Sequence, residues 1–197
     1  MTRPTRLSHD ARHRQLLDAA WEMLRDEGTN TITLARVAAR AGVTKPIAYR
    51  HFVSRNGLLG ALYLDFDDRQ TQALRQALES DAENLEGAAR LVAAAFVDCA
   101  IASGPEVGSI IDALSGSAEL EEVRKSCRTR YRLETAHALE PYVTQGPISQ
   151  PMLTGLLGAS EAIAEASASG DINRETAIDT LADIIVAATG AAQRAFP

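Results

Sequence analysis

Between Thr33 and Phe52 the chain fits two helix starts, a glycine turn and an aromatic-basic face into twenty residues. Leu34, Val37, Ala38 and Ala41 recur three and four residues apart, so one face of a short helix is apolar. Thr33 stands before it as an N-cap whose hydroxyl can accept an orphan backbone N–H. Gly42 follows the last apolar position and can take positive φ without a Cβ clash, which ends the helix sharply. A second helix opens at Thr44, with Pro46 in its first turn, where a missing N–H is tolerated. Val43, Ile47 and Ala48 face inward, leaving Lys45, Tyr49 and Arg50 outside. An ordinary helical hairpin shares the turn. It does not call for the caps, the small Ala38 and Ala39 and the basic aromatic face at compatible spacing. That combination suits a helix pushed into a DNA groove, its N-terminal half on base edges and its neighbours on the backbone.

The segment resembles the N-terminal DNA-binding domain of TetR-family transcriptional regulators. The residues that carry the likeness are Val37-Ala38, Gly42-Val43-Thr44, Tyr49-Arg50-His51-Phe52 and Ser54-Arg55-Asn56-Gly57-Leu58-Leu59, within a stretch from about Leu17 to Leu59. The chain departs from the pattern at Pro46 (often Gly), Ile47 (often Thr) and Arg55 (often Lys). Asn56-Gly57 replaces acidic residues and predicts a looser start to the fourth helix. The resemblance implies an all-α chain, with a three-helix helix-turn-helix domain over 1–55 and a helical bundle for ligand binding and dimerisation over 56–197. It implies DNA contacts from Tyr49 and Arg50, with His51 capping or touching phosphate at the helix end. Thr44 and Lys45, beside Pro46, are expected at bases or phosphates. Thr33 and Arg36 open the preceding helix, where backbone N–H groups also hold phosphate. Arg55 is expected to grip the DNA backbone. Arg3 and Arg6 are candidates for a minor-groove arm or a solvated tail.

A net charge of −6 looks wrong for such a partner until the chain is divided. Residues 1–60 hold ten Lys/Arg against five Asp/Glu, a net +5, and the remainder carries −11. Phosphate-attracting charge is thus confined to the helix-turn-helix end. Hydrophobic content of 46% with 23% charged residues fits a folded globular chain. Apolar runs are short, so no membrane span is expected. The basic N-terminus is followed by no apolar stretch of the kind a secretory signal carries. Cys99 and Cys127 lie on helices with no metal-ligand spacing and read as reduced thiols of a cytoplasmic protein.

Periodicity predicts helices at about 10–27, 54–80, 85–103, 107–114, 118–140, 151–169 and 173–194, and no strand. The helix from Ser54 is long enough to belong to both domains and link them mechanically. Arg124, Lys125, Arg128, Arg130 and Arg132, flanked by glutamates, predict a salt-bridged solvent face. The last two helices are rich in small residues, among them Gly155, Gly158, Ala159, Ala162, Ala166, Ala182, Ala187 and Gly190. Their apolar residues cover more than one face. Burial inside one chain explains this, and so does packing across a two-fold axis; the resemblance favours the homodimer. By the same resemblance Phe96, Cys99, Ile110, Leu114, Tyr131, His137, Met152 and Leu156 are candidates to line a ligand cavity, each with core packing as its alternative.

The function expected is a DNA-binding regulator: a repressor released from a pseudo-palindromic double-stranded DNA operator by an unidentified small-molecule effector. The alternative is an activator, or a regulator controlled by a partner without an inducer. No cofactor, metal or enzymatic activity is expected. The four histidines are scattered, and neither a nucleophile–base motif nor a phosphate loop is present.

Overall fold

Helix α1 (His9–Glu27) starts where Ser8 accepts a hydrogen bond from the Ala11 N–H at 3.1 Å, and stops where Gly28 turns to φ 76°. Its stripe of Leu16, Leu17, Ala20, Trp21 and Leu24 is buried, as the i, i+3, i+4 spacing requires. A 3-10 turn at Thr29–Thr31 leads to α2 (Leu34–Arg40), α3 (Lys45–Phe52) and the long α4 (Arg55–Leu78). Then come α5 (Leu85–Ser103), α6 (Glu106–Leu114), α7 (Ala118–Leu139), α8 (Gln150–Ala168) and α9 (Arg174–Ala191). This computed structural model describes residues 7–79, 82–104, 106–114, 117–143 and 146–191, and among these there is no strand. The all-α class is the one the sequence predicts. Arg3, Arg6 and the last residues of the expected final helix lie outside the described residues. No helix among them is long and apolar enough to cross a membrane.

The turn between α2 and α3 is a Schellman closure. The Val43 N–H donates to the Ala38 carbonyl at 2.9 Å and the Gly42 N–H to the Ala39 carbonyl at 3.1 Å, with Gly42 at φ 66°. Gln15 of α1 holds the same turn through the Ala41 carbonyl at 3.0 Å. The next junction is tighter still. Ser54 caps α4 by accepting the Gly57 N–H at 3.0 Å, and a Cβ on Gly57 would stand 2.0 Å from the Phe52 carbonyl oxygen. The start of α4 is therefore capped and closely packed, not loose as the Asn56-Gly57 pair suggests on paper. Only a glycine lets the end of α3 lie against the first turn of α4.

Two apolar cores follow. The first gathers α1, α2 and α3 under the N-terminal half of α4 and extends to Val107, Ile110 and Leu114 of α6 and to Leu120 and Cys127 of α7. The second surrounds α5, which packs on α4, α8 and α9. The last two helices bury one face on α5 and each other. Their outer side keeps Gly155 and Ala187 exposed.

Helix α4 also carries two buried carboxylates that join it to its neighbours. Asp65 accepts the Trp21 indole N–H at 2.7 Å and is bound by Arg14 of α1, with Arg69 at 3.2 Å. Asp67, on the other flank, is bound by Arg130 of α7. The basic run of α7 is thus not simply a solvent face. Arg130 reaches Asp67 and Asp68 on α4, and Arg128 reaches Glu161 on α8 at 3.1 Å.

Candidate nucleic-acid interface and internal cavity

Helix α3 stands on the surface by two inward residues, Ala48 and Phe52, with Val43 and Ile47 packed partly against the same core. Apart from half-buried His51, the rest of it faces out. Thr44, Lys45, Pro46, Tyr49 and Arg50 are all exposed, and Tyr49 keeps 51% of its surface. Thr44 occupies the N-cap position, but its side chain caps nothing. Lys45 and Arg50 make no ion pair and no side-chain hydrogen bond among the described residues. The contrast with α2 is sharp. Arg36 is paired with Glu27 and donates to the Thr31 carbonyl at 3.2 Å; Arg40 is held by Asp26 at 2.9 Å and Glu27 at 3.2 Å. The α1 carboxylates neutralise α2 and leave the positive charge of α3 unanswered. A polyanion meets that charge without first breaking a pair.

Three other expected contact residues are placed differently from this exposed face. Thr33 caps α2 by accepting the Arg36 N–H at 3.3 Å. Arg55 donates to the carbonyls of Ile32 and Thr29, each at 3.0 Å, and so ties the start of α4 to the 3-10 turn. His51 is half-buried. Its ring lies 4.4 Å from His9 and 5.6 Å from His13, and His13 lies 4.9 Å from Phe52. This cluster clasps the end of α3 to the start of α1. Burial, then the neighbouring His9, pushes His13 and His51 below the ordinary histidine value.

Below the head, α4, α5, α6, α7 and α8 enclose a cavity of about 340 Å³. Phe96 and Tyr131 line it, as the sequence reading expects, and meet edge to face at 5.0 Å. The other candidates lie elsewhere. Ile110 and Leu114 are fully buried in the first core. Cys99 is half-buried against that core, its thiol pushed up by burial. Leu156 packs in the second core and Met152 partly against it. His137 is exposed, 3.4 Å from Glu140, just past the end of its helix. The reason is geometric. A cavity assembled from five helices takes only the residues that happen to face inward, and a periodic stripe does not say which side of its helix meets the void.

The wall from α4 is Tyr63, Phe66, Asp67 and Gln70, one helical stripe that the expected set lacks. Asp67 and Gln70 are polar residues standing on that stripe, 4% and 6% exposed. That pattern was the available signal. Tyr63 and Phe66 belong to the head's core and line the cavity as well. No group of three or more His, Cys, Asp or Glu among the described residues is arranged to hold a metal ion.

Comparison with known proteins agrees with this architecture. Residues 16–62 match the family described as bacterial regulatory proteins, tetR family. Over 94 residues the chain is 37% identical to the HTH-type transcriptional activator FasR of Mycolicibacterium smegmatis, covering 48% of this chain and 43% of that one. Over 67 residues it is 42% identical to the HTH-type transcriptional regulator BetI of Cronobacter sakazakii, covering 34% and 31%. The chain thus aligns with less than half the length of these curated relatives. A TetR-like transcriptional regulator from Rhodococcus sp. RHA1 superposes with a TM-score of 0.68 at 25% identity, over 92% of this chain and 97% of that one. The TetR-like regulator LfrR of Mycobacterium smegmatis, solved in complex with proflavine, shares the fold with a TM-score of 0.64 at 22% identity, over 92% and 98%.

Proposed function

We propose that the chain, which belongs to the tetR family of bacterial regulatory proteins, is a cytoplasmic transcriptional repressor released from its operator by a small molecule. The observation that carries this is the double membership of Tyr63 and Phe66. They are part of the core on which α3 sits, and they are part of the cavity wall. A ligand that presses on α4 therefore presses on the seating of the DNA-contact face. Tyr49, Lys45 and Arg50 read or grip the duplex; Thr33, Arg36, Thr44, Pro46, His51 and Arg55 set the geometry around them or hold phosphate. LfrR was solved in complex with proflavine, which supports small-molecule control in this fold.

A pseudo-palindromic operator requires two heads, and the outer sides of α8 and α9 suit a two-fold interface. Gly155, Ala159 and Ala166 fall on one face of α8, and an added Cβ at Gly155 meets nothing within 4 Å. The two heads then enter successive major grooves, and a coupling of about 1–3 kcal/mol between cavity and head changes occupancy several-fold or more.

The test is a fluorescence-anisotropy titration of the full chain on DNA from its own upstream region. Specific binding that falls steeply with salt is expected. Equal affinity for every duplex, or none at low salt, overturns the reading. The relative FasR is named an activator, which favours activation as the second reading. A promoter-reporter measurement with and without the chain decides the sign.

A further inference from the structure

We propose that the cavity takes an organic cation, one positive charge carried on an aromatic or bulky apolar body. This rests on the reading of the cavity as the effector site and gives that effector its chemical class.

The rings come first. Tyr63 and Phe66 from α4, Phe96 from α5 and Tyr131 from α7 all line the cavity. Their centroids are 6.3 Å apart in the first pair and 5.0 Å in the second. Rings on two sides of a void supply apolar area and negative π-faces together, which is what a poorly hydrated cation seeks. Gln70 adds a polar group that is 6% exposed, opens on the cavity, and has no hydrogen-bond partner among the described residues. An amide on the cavity wall is free to exchange a hydrogen bond with a ligand or its water.

The charges then choose the sign. Two guanidiniums line the cavity, and each already has its carboxylate: Arg128 meets Glu161 at 3.1 Å and Arg124 meets Glu121 at 3.4 Å. Four carboxylates line it, and only two are answered, Glu161 by Arg128 and Asp67 by Arg130. Asp112 and Glu165, both solvent-exposed where the cavity opens, have no ion-pair partner among the described residues. Glu165 lies beside Gly108, its Oε1 3.5 Å from where a Cβ would stand, an ordinary contact distance. An anion would have to take an arginine from its partner and lie among unpaired carboxylates. A neutral ligand leaves the excess as it is. A cation offsets it, an attraction that solvent and salt screen in part at the exposed rim.

The experiment uses calorimetric titration of the full chain with three probes: benzyltrimethylammonium, its uncharged isostere neopentylbenzene, and phenylacetate. The cation is expected to bind about tenfold tighter than the isostere, with phenylacetate weakest. An Asp112→Asn/Glu165→Gln variant with unchanged melting temperature is expected to lose about tenfold in cation affinity and nothing for the isostere. If the isostere or phenylacetate binds as well as the cation, or the variant keeps its cation affinity, the cation class is overturned while the cavity stands as a ligand site. If none of the three binds at millimolar concentration, the effector-site reading falls with it. The three-probe comparison on the parent chain decides the matter even if the variant does not fold.

Discussion

The head and the body dispose of their arginines in opposite ways. In the head, α2 is neutralised by the carboxylates of α1, while Lys45 and Arg50 on α3 are left unpaired at the surface. In the body, arginines join helices: Arg75 to Glu134, Arg90 to Glu175, Arg128 to Glu161, Arg130 to Asp67 and Arg174 to Asp98. The exposed pairs among them add little stability each. They do fix register between helices that otherwise offer smooth, alanine-rich faces. Charge in the head is available to an outside partner. In the body most arginines are consumed internally, and the unpaired charge left there is acidic, the two carboxylates at the cavity among it.

The same glycine-to-alanine change separates the two regions most strongly. Gly57→Ala sets a Cβ against the Phe52 carbonyl and should cost on the order of 3 kcal/mol of head stability, because backbone must move. Unfolding followed by the lone tryptophan checks it, and an unchanged midpoint would mean the α3–α4 junction is slack. Next is the Lys45→Ala/Arg50→Ala variant. Operator affinity should fall by about 2 kcal/mol, with a salt slope about two units smaller per head and an unchanged melting curve. A loss without the slope change would remove these side chains from the phosphates. Gly155→Ala, in the open on α8, should stabilise its helix by about 0.5–1 kcal/mol while weakening self-association in sedimentation. Stronger association would place the dimer elsewhere.

The smallest effect is with pH. His13 and His51 sit below their ordinary value of 6.5 in the folded head, so the unfolded chain binds protons first. Their contribution to stability is complete above about pH 6.5 and is lost as pH falls through 6.5 toward their lowered native values. Both rings are partly solvated, which keeps the change modest. A melting temperature of the head that drops between pH 7 and 5.5, and drops less in His51→Phe, is the expected result.

What was legible in the sequence follows the same division. The head's chemistry is local. Caps, turn and contact face lie within one short stretch, and Gly42, Thr33, Tyr49 and Lys45 are placed where their spacing puts them. The packing need at Gly57 was invisible, because the oxygen it must clear belongs to the preceding helix. In the body the helices were legible almost to their ends. The cavity was not, because Tyr63, Gln70, Arg128 and Glu165 come together only through the packing of separate helices. Ile110 and Leu114 show the converse. Their strong apolar pattern is real, but it serves the head's core beneath α4.

The joint between α1 and α4 has one further use. The chain holds a single tryptophan, and Trp21 gives its indole N–H to Asp65 while the Arg69 guanidinium lies 4.6 Å from its ring centre. Both neighbours ride on α4. Opposite charges at the edge and face of an indole tune its emission colour, so any turn of α4 against α1 shifts the light this protein gives off. An unlabelled sample in a fluorimeter can therefore watch the signal pass from one end of the molecule to the other.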